Sequence, residues 1–199
     1  MENAENKNSL NYIVIDFETA NWKRYSACSV GLVRFINGQE TDSVSALIKP
    51  VNRFFIQEWT DTIHGISYED VKDKPKFPEV WHTIVEPFLA ETPDLPLVAH
   101  NAMFDMSVIK GCCEYYEMPL PKIKYFDSLP IARNTWPELE SHRLTYLGAT
   151  FGIEYKAHDA LEDSRTCGLI VKMAADKWQA TSVEELVQRS GTSLKPLVS

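Results

Sequence analysis

Positive charge is scarce in this chain. Of its 199 residues, 20 are lysine or arginine and 28 are aspartate or glutamate, a formal net charge of -8. That balance excludes a protein that grips nucleic acid with a broad basic face, so any contact with a polyanion has to be local. Cysteine is scarce too. Cys28, Cys112, Cys113 and Cys167 show no C-x-x-C spacing and two are adjacent, so neither a zinc knuckle nor a disulfide framework is readable, and a reducing cytoplasm is expected. With only 8 glycines, no G-x-G-x-x-G or G-x-x-x-x-G-K-[ST] follows a strand-like run, which argues against a dinucleotide fold or a P-loop. No apolar run approaches the ~18 residues of a membrane span, and Met1 to Leu10 is polar and asparagine-rich, so neither export nor a membrane is expected. What is present is 44% hydrophobic and 11% aromatic residues, enough at this length for one packed core.

The residues Tyr12-Ile13-Val14-Ile15-Asp16-Phe17-Glu18 read as a central strand, β-branched and aromatic and too short for a helix. Ala27 to Ile36 and about Thr41 to Ile48 flank Asn37-Gly38, a strong hairpin signal, so these two strands should be antiparallel. A helix is predicted from about Phe77 to Glu91, then Leu97 to His100 as a short buried strand, Ala102 to about Glu117 as a helix and Ile123 to Phe126 as a strand. Helices follow near Leu129 to Arg133, Leu144 to Phe151 and Asp159 to Ala175. An opening hairpin followed by alternating strands and helices predicts an α/β fold, a mixed sheet flanked by helices. The expected organisation is a flexible tail over 1–10, one domain over 11–175, and an extension over 176–199. That extension should carry one short helix, started by Ser182 and Glu185 as a capping box and stopped by Gly191.

Asp16 and Glu18 lie two apart on the first strand and therefore share a face. Two carboxylates in a hydrophobic strand repel each other and resist burial, a conflict that a divalent cation resolves, and oxygen-only ligands suit magnesium or manganese better than zinc. Asp105 falls in the first turn of a helix that Asn101 should cap. Asp163 shares its helical face with Ala160, Cys167, Ile170, Val171 and Ala174, so a third and a fourth acid point toward the sheet. With Asp159 as N-cap and Glu162 as its capping-box partner, His158 stands at N′ beside Asp163 at N4. A neutral imidazole there can accept a proton from water near pH 7. His100 is the rival, since it precedes Asn101 in the same way, but it ends a short apolar strand and reads as a packed histidine.

Ile15-Asp16-Phe17-Glu18-Thr19, His100-Asn101-Ala102-x-Phe104-Asp105 and His158-Asp159-Ala160-Leu161-x-Asp163 together resemble the three motifs of the DnaQ-like DEDDh exonuclease family, which includes the proofreading epsilon subunit of bacterial DNA polymerase III. The resemblance implies a ribonuclease H-like fold, two divalent cations (magnesium or manganese), and release of nucleoside 5′-monophosphates from 3′ ends. It implies Asp16, Glu18, Asp105 and Asp163 as metal ligands, His158 as general base, and Thr19, Ile63, His64, Asn101 and Phe104 near the terminal nucleotide. The implied partner is a single-stranded 3′ end, DNA more than RNA, in the setting of a DNA polymerase or repair complex. An RNA or oligoribonucleotide exonuclease and a non-catalytic polymerase-associated subunit are the alternatives. Where many relatives read Thr-Thr-Gly, this chain reads Thr19-Ala20-Asn21, which removes a hydroxyl expected near the terminal sugar. Trp22-Lys23-Arg24-Tyr25 could stack a base and touch phosphate, or be a solvated loop.

Overall fold

The structure, a computed structural model of the chain, describes residues 9–198. The tail expected over 1–10 lies outside the described residues as far as residue 8, while Leu10 is buried in the core. Strand β1 (Tyr12–Thr19) runs through the middle of the protein. Strands β2 (Ala27–Ile36) and β3 (Gln39–Leu47) form the antiparallel hairpin. Asn37 and Gly38 both take the left-handed conformation, at φ 52° and 71°, as a two-residue turn of the primed type requires. β3 starts two residues before the predicted Thr41, because Ile36 pairs with Gln39 directly across the turn.

A one-turn helix α1 (Tyr68–Val71) precedes a longer helical stretch made of α2 (Phe77–Val80), a widened π segment (Trp81–Val85) and α3 (Glu86–Ala90). The widened turns fall just before Pro87, which has no amide to donate. Then come β4 (Leu97–Ala99), α4 (Met103–Tyr115), β5 (Lys124–Asp127), α5 (Ser128–Thr135), α6 (Leu144–Thr150), α7 (Ala160–Trp178), α8 (Val183–Arg189) and β6 (Lys195–Pro196). The sheet order is β3-β2-β1-β4-β5-β6. β1, β4 and β5 run parallel to one another, and the hairpin and β6 run antiparallel to their neighbours. This is the mixed sheet flanked by helices that the element order predicts.

The period of two along β1 sorts its side chains between two cores. Ile13, Ile15 and Phe17 pack with Val80, Trp81, Met106 and Ile109 from α2 to α4. Tyr12 and Val14 pack on the other face with Ile131, Leu147, Ile170 and Val171 from α5 to α7. By the same alternation Asp16 and Glu18 point to the α7 face at the strand's carboxyl end. The boundary expected after Ala175 runs through the last turn of α7. Beyond it, Val183, Leu186 and Val187 fill the α7-side core, Leu197 fills the other, and β6 adds a strand to β5. Ser182 caps α8 by accepting from the Glu185 amide at 3.2 Å. The return bond is displaced by one residue, with Glu185 accepting from the Thr181 amide.

Candidate active site

The four acids meet at the carboxyl end of β1 from three elements. Asp16 and Glu18 come from the strand itself. Asp105 comes from the first turn of α4, on one side of the sheet, and its Oδ1 accepts the Phe17 amide at 3.0 Å, which locks α4 to β1 between the two strand acids. Asp163 comes from the first turn of α7, on the opposite side. What brings α7 close enough is Gly31, which is paired with Asp16 across the β1–β2 ladder. A Cβ at Gly31 would stand 2.3 Å from the Ala160 carbonyl oxygen, so only glycine leaves room for the helix, and the Ser164 hydroxyl donates to the Gly31 carbonyl at 3.0 Å to hold the contact. Nothing local marks this glycine, because its φ is ordinary and the neighbour that requires it is Ala160, far along the chain.

Asp159 caps α7 as predicted, accepting from the Leu161 and Glu162 amides at 3.2 and 3.4 Å. Glu162 bonds Arg165. The residue before the cap, His158, is left-handed at φ 63° and donates its amide to Asp163 Oδ2 at 2.8 Å. Histidine and acid are therefore neighbours, and one nitrogen of the exposed His158 ring and one oxygen each of Glu18 and Asp163 lie within 4.8 Å of one another. At the other candidate turn the predicted N-cap is corrected. Asn101 is left-handed at φ 71°, Ala102 holds the cap position without a side-chain bond, and Asn101 instead donates its amide to Asp127 Oδ1 at 3.0 Å. Asparagine tolerates that conformation, and it lets the chain turn sharply from β4 into α4. His100 is packed: its Nδ1 meets the Ser128 hydroxyl at 2.8 Å and its Nε2 the His142 carbonyl at 2.7 Å.

Residues 13–171 match the profile of the RNase_T exonuclease family. The chain belongs to this family. Its three ordered motifs and its fold are those of the DnaQ-like exonucleases. A curated relative, the PolC-type DNA polymerase III of Clostridium perfringens, is 30% identical over 171 residues, which is 83% of this chain and 11% of the polymerase. The chain spans between 11% and 13% of the length of such relatives. Among solved structures, exonuclease X in complex with 5′ overhanging duplex DNA superposes with a TM-score of 0.69 at 22% identity, covering 90% of this chain and 99% of that one. The nuclease domain of 3′hExo, a DEDDh family member bound to rAMP, gives 0.72 at 15% identity over 94% and 95%.

The protein carries an electrostatic conflict at this site. Burial above all, then Asp105, Asp163 and Glu18, raises the Asp16 carboxyl well above the usual range. Burial pushes Glu18 up to about 8, with Asp163 and Asp105 adding to it. Asp105 is pushed to about 8 by burial, against the pull of the Phe17 amide. Asp163 reaches about 6, where burial is opposed by His158. None of the four pairs with a lysine or arginine among the described residues. Carboxylates packed this way want a cation.

Asp16, Glu18, His158 and Asp163 open into a cleft of about 700 Å³ whose lining includes Asn101, Phe104, Arg133, His142 and Arg143. That volume is within the range of small-ligand sites. Asp105 lies behind the cleft, and His64 lines an adjoining hollow of about 360 Å³ together with His158. The His64 ring faces the Thr19 backbone, and burial lowers its pKa. Thr19 is buried and Ile63 is partly exposed, and neither lines either hollow. The Trp22–Tyr25 segment divides. Trp22 is exposed edge-on to Phe54, Arg24 covers the Phe104 ring at 4.9 Å, and Tyr25 stacks on Tyr115. One neighbour was missed at the sequence level: Tyr155, whose hydroxyl faces Asp163.

Proposed function

We propose that the protein is a divalent-metal-dependent 3′-to-5′ exonuclease that removes nucleoside 5′-monophosphates from single-stranded 3′ ends, with DNA as the preferred polymer. The observation that carries this reading is the convergence of four mutually repelling carboxylates, three of them lining one cleft beside an exposed histidine and Asp105 behind it. Asp16, Glu18, Asp105 and Asp163 are the residues that would hold two cations. They offer only hard oxygen donors, the set that suits magnesium or manganese. When bound, such ions supply the charge that activates water and stabilises the leaving oxygen of a phosphodiester.

The chain's own residues do the rest. His158 takes the proton of the attacking water on its ring nitrogen, a step open to it because the ring is exposed to the cleft and held over Glu18 and Asp163. Asp163 serves twice, since the same carboxylate accepts the His158 amide and so fixes the turn that aims the ring. Phe104 gives the terminal nucleotide a ring to lie against, and Asn101, in its left-handed turn, places a polar edge beside it. His64, which lines the adjoining hollow together with His158, is the residue of the neighbouring segment placed to meet the sugar.

DNA is favoured by the polymerase kinship, and a proofreading or repair complex is the setting that kinship suggests. Four buried free thiols accord with the reducing cytoplasm, and among the described residues no helix is long and apolar enough to cross a membrane. A vestigial, purely binding role would leave no need to keep four costly acids together. The test is digestion of 5′-labelled single-stranded DNA and RNA with magnesium or manganese, with Asp16→Ala as control. Stepwise shortening that stops in chelator is expected. Internal cleavage, or equal activity in excess chelator, would overturn the reading.

A further inference from the structure

The seven arginines of the chain divide by what holds their side chains. Arg34 pairs with Glu91 and Asp42, Arg165 with Glu40 and Glu162, and Arg189 with Glu185. Arg24 lies over the Phe104 ring and Arg53 over the Tyr68 ring. Only Arg133 and Arg143 have neither a carboxylate nor a ring among the described residues, and both line the wall of the cleft that contains the acids. In a chain with eight more acids than bases, two unclaimed guanidinium groups at one place are not what random pairing produces.

That wall is built rather than loose. Arg133 projects from the last turn of α5, whose first turn is capped by Asp127 accepting the Leu129 amide at 2.9 Å. Arg143 stands at the N-cap position of α6. The segment between the two helices is tied down from both sides, by His100 Nε2 donating to the His142 carbonyl and by His142 Nε2 donating to the Trp136 carbonyl at 2.8 Å. The half-buried histidine of the second motif thus holds in register the backbone that carries Arg143. Glu140 shares the rim without pairing with either arginine.

We infer that Arg133 and Arg143 form a subsite for a backbone phosphate of the digested strand, upstream of the scissile bond. The inference rests on the exonuclease reading above and deepens it. A polyanion approaching a net-negative protein gains nothing from the surface at large, so its register has to come from a local cationic contact. Guanidinium groups suit phosphate oxygens through paired N–H donors. An end-removing enzyme needs such a contact beyond the reacting nucleotide, because a mononucleotide alone offers no grip on the chain that follows.

The test uses the full chain and two substrates, a decathymidylate and the p-nitrophenyl ester of thymidine 5′-monophosphate, which has no upstream phosphate. In the double variant Arg133→Gln/Arg143→Gln, kcat/KM for the decathymidylate relative to the ester should fall about tenfold. The dependence of log KM on log salt should become shallower by about 0.7 for each lost phosphate contact. Arg133→Lys/Arg143→Lys should recover part of both. Binding of the fluorescently labelled decathymidylate in calcium is measured alongside. If ratio, salt slope and binding all match the wild type in a variant with native melting temperature, the subsite is wrong. If the wild type hydrolyses neither substrate yet binds the oligonucleotide in an arginine-dependent way, the exonuclease reading fails and the subsite stands.

Discussion

Two turns in this protein are built from the same parts and do opposite work. Each has a histidine just before a helix whose first turn carries a motif acid, and each contains a left-handed residue: Asn101 after His100, and His158 itself. At the first turn the strained position belongs to asparagine, which tolerates it, and the histidine is consumed by two hydrogen bonds. At the second the histidine takes the strain and keeps its ring exposed beside two carboxylates. A histidine satisfied on both nitrogens is structural, whereas one held in a strained turn with an open ring is available for chemistry. The difference lies in which residue of the turn is left-handed.

The largest expected effect tests whether the second turn matters because of its acids. Asp16→Asn removes the charge at the centre of the cluster. Because such groups act as a unit, it should cost at least about 1,000-fold in kcat. In chelator the same variant should melt higher than the wild type, since a repelling carboxylate has been neutralised. A variant that is dead and also unstable without metal would mean Asp16 is held by something other than repulsion.

Next come the histidines themselves. His158→Ala should lose ~100- to 10,000-fold in kcat while keeping the fold and divalent-ion binding measured by calorimetry. His100→Ala leaves the Ser128 hydroxyl and the His142 carbonyl short of a partner. It should cost about 1–3 kcal/mol of stability, read as a melting temperature several degrees lower, with the loss of activity mainly in oligonucleotide KM. Reversed results would exchange the roles of the two turns.

A smaller effect follows from pH. Glu18 and Asp105 hold their protons to about 8 in the folded chain and release them in the usual carboxylate range, near 4, when unfolded. The folded state therefore binds more protons between those limits, and metal-free stability should be full near pH 4 and fall as pH rises through about 8. Magnesium should flatten that slope, because it favours the ionised form. Melting curves at pH 5 and pH 8, with chelator and with magnesium, decide this, and an unchanged slope with metal would separate the acids from the cation.

How much of this was legible follows from how local each signal is. The hairpin at Asn37-Gly38, the face shared by Asp16 and Glu18 and the cap at Asp159 are readable because turn chemistry and periodicity act within a few residues. Asn101 reads as a cap because asparagine serves both caps and left-handed turns, and only the hydrogen bond its backbone N–H donates to Asp127, 26 positions on, separates them. Gly31 was invisible for the same reason, its partner being α7. The segment after Ala175 is thin in apolar residues, yet Val183, Leu186, Val187 and Leu197 all reach the core, and so few apolar residues spread thinly give no strong pattern. The acids were readable as a set because β1, α4 and α7 each announce theirs locally, while the two arginines that share the cleft with them, Arg133 and Arg143, are brought there by tertiary packing.

The smallest effect concerns Tyr155, which stands three residues before His158 with its hydroxyl toward Asp163. The ring is wedged against α6, where a Cβ on Gly148 would meet it at 2.8 Å, so the hydroxyl is held in place by packing. Its contact lowers the Asp163 carboxyl, while burial remains the larger influence and raises it. The hydroxyl is buried without a partner at hydrogen-bond geometry among the described residues, so Tyr155→Phe keeps the packing and removes only a polar neighbour of Asp163, and the rate should fall by less than about 10-fold. The loss should appear in kcat with KM unchanged, because the hydroxyl acts through Asp163. A loss as deep as that of His158→Ala, with a pH profile that loses its alkaline limb, would make the phenol the proton carrier. The open histidine would then be an orienting residue like His100, and the contrast between the two turns would collapse.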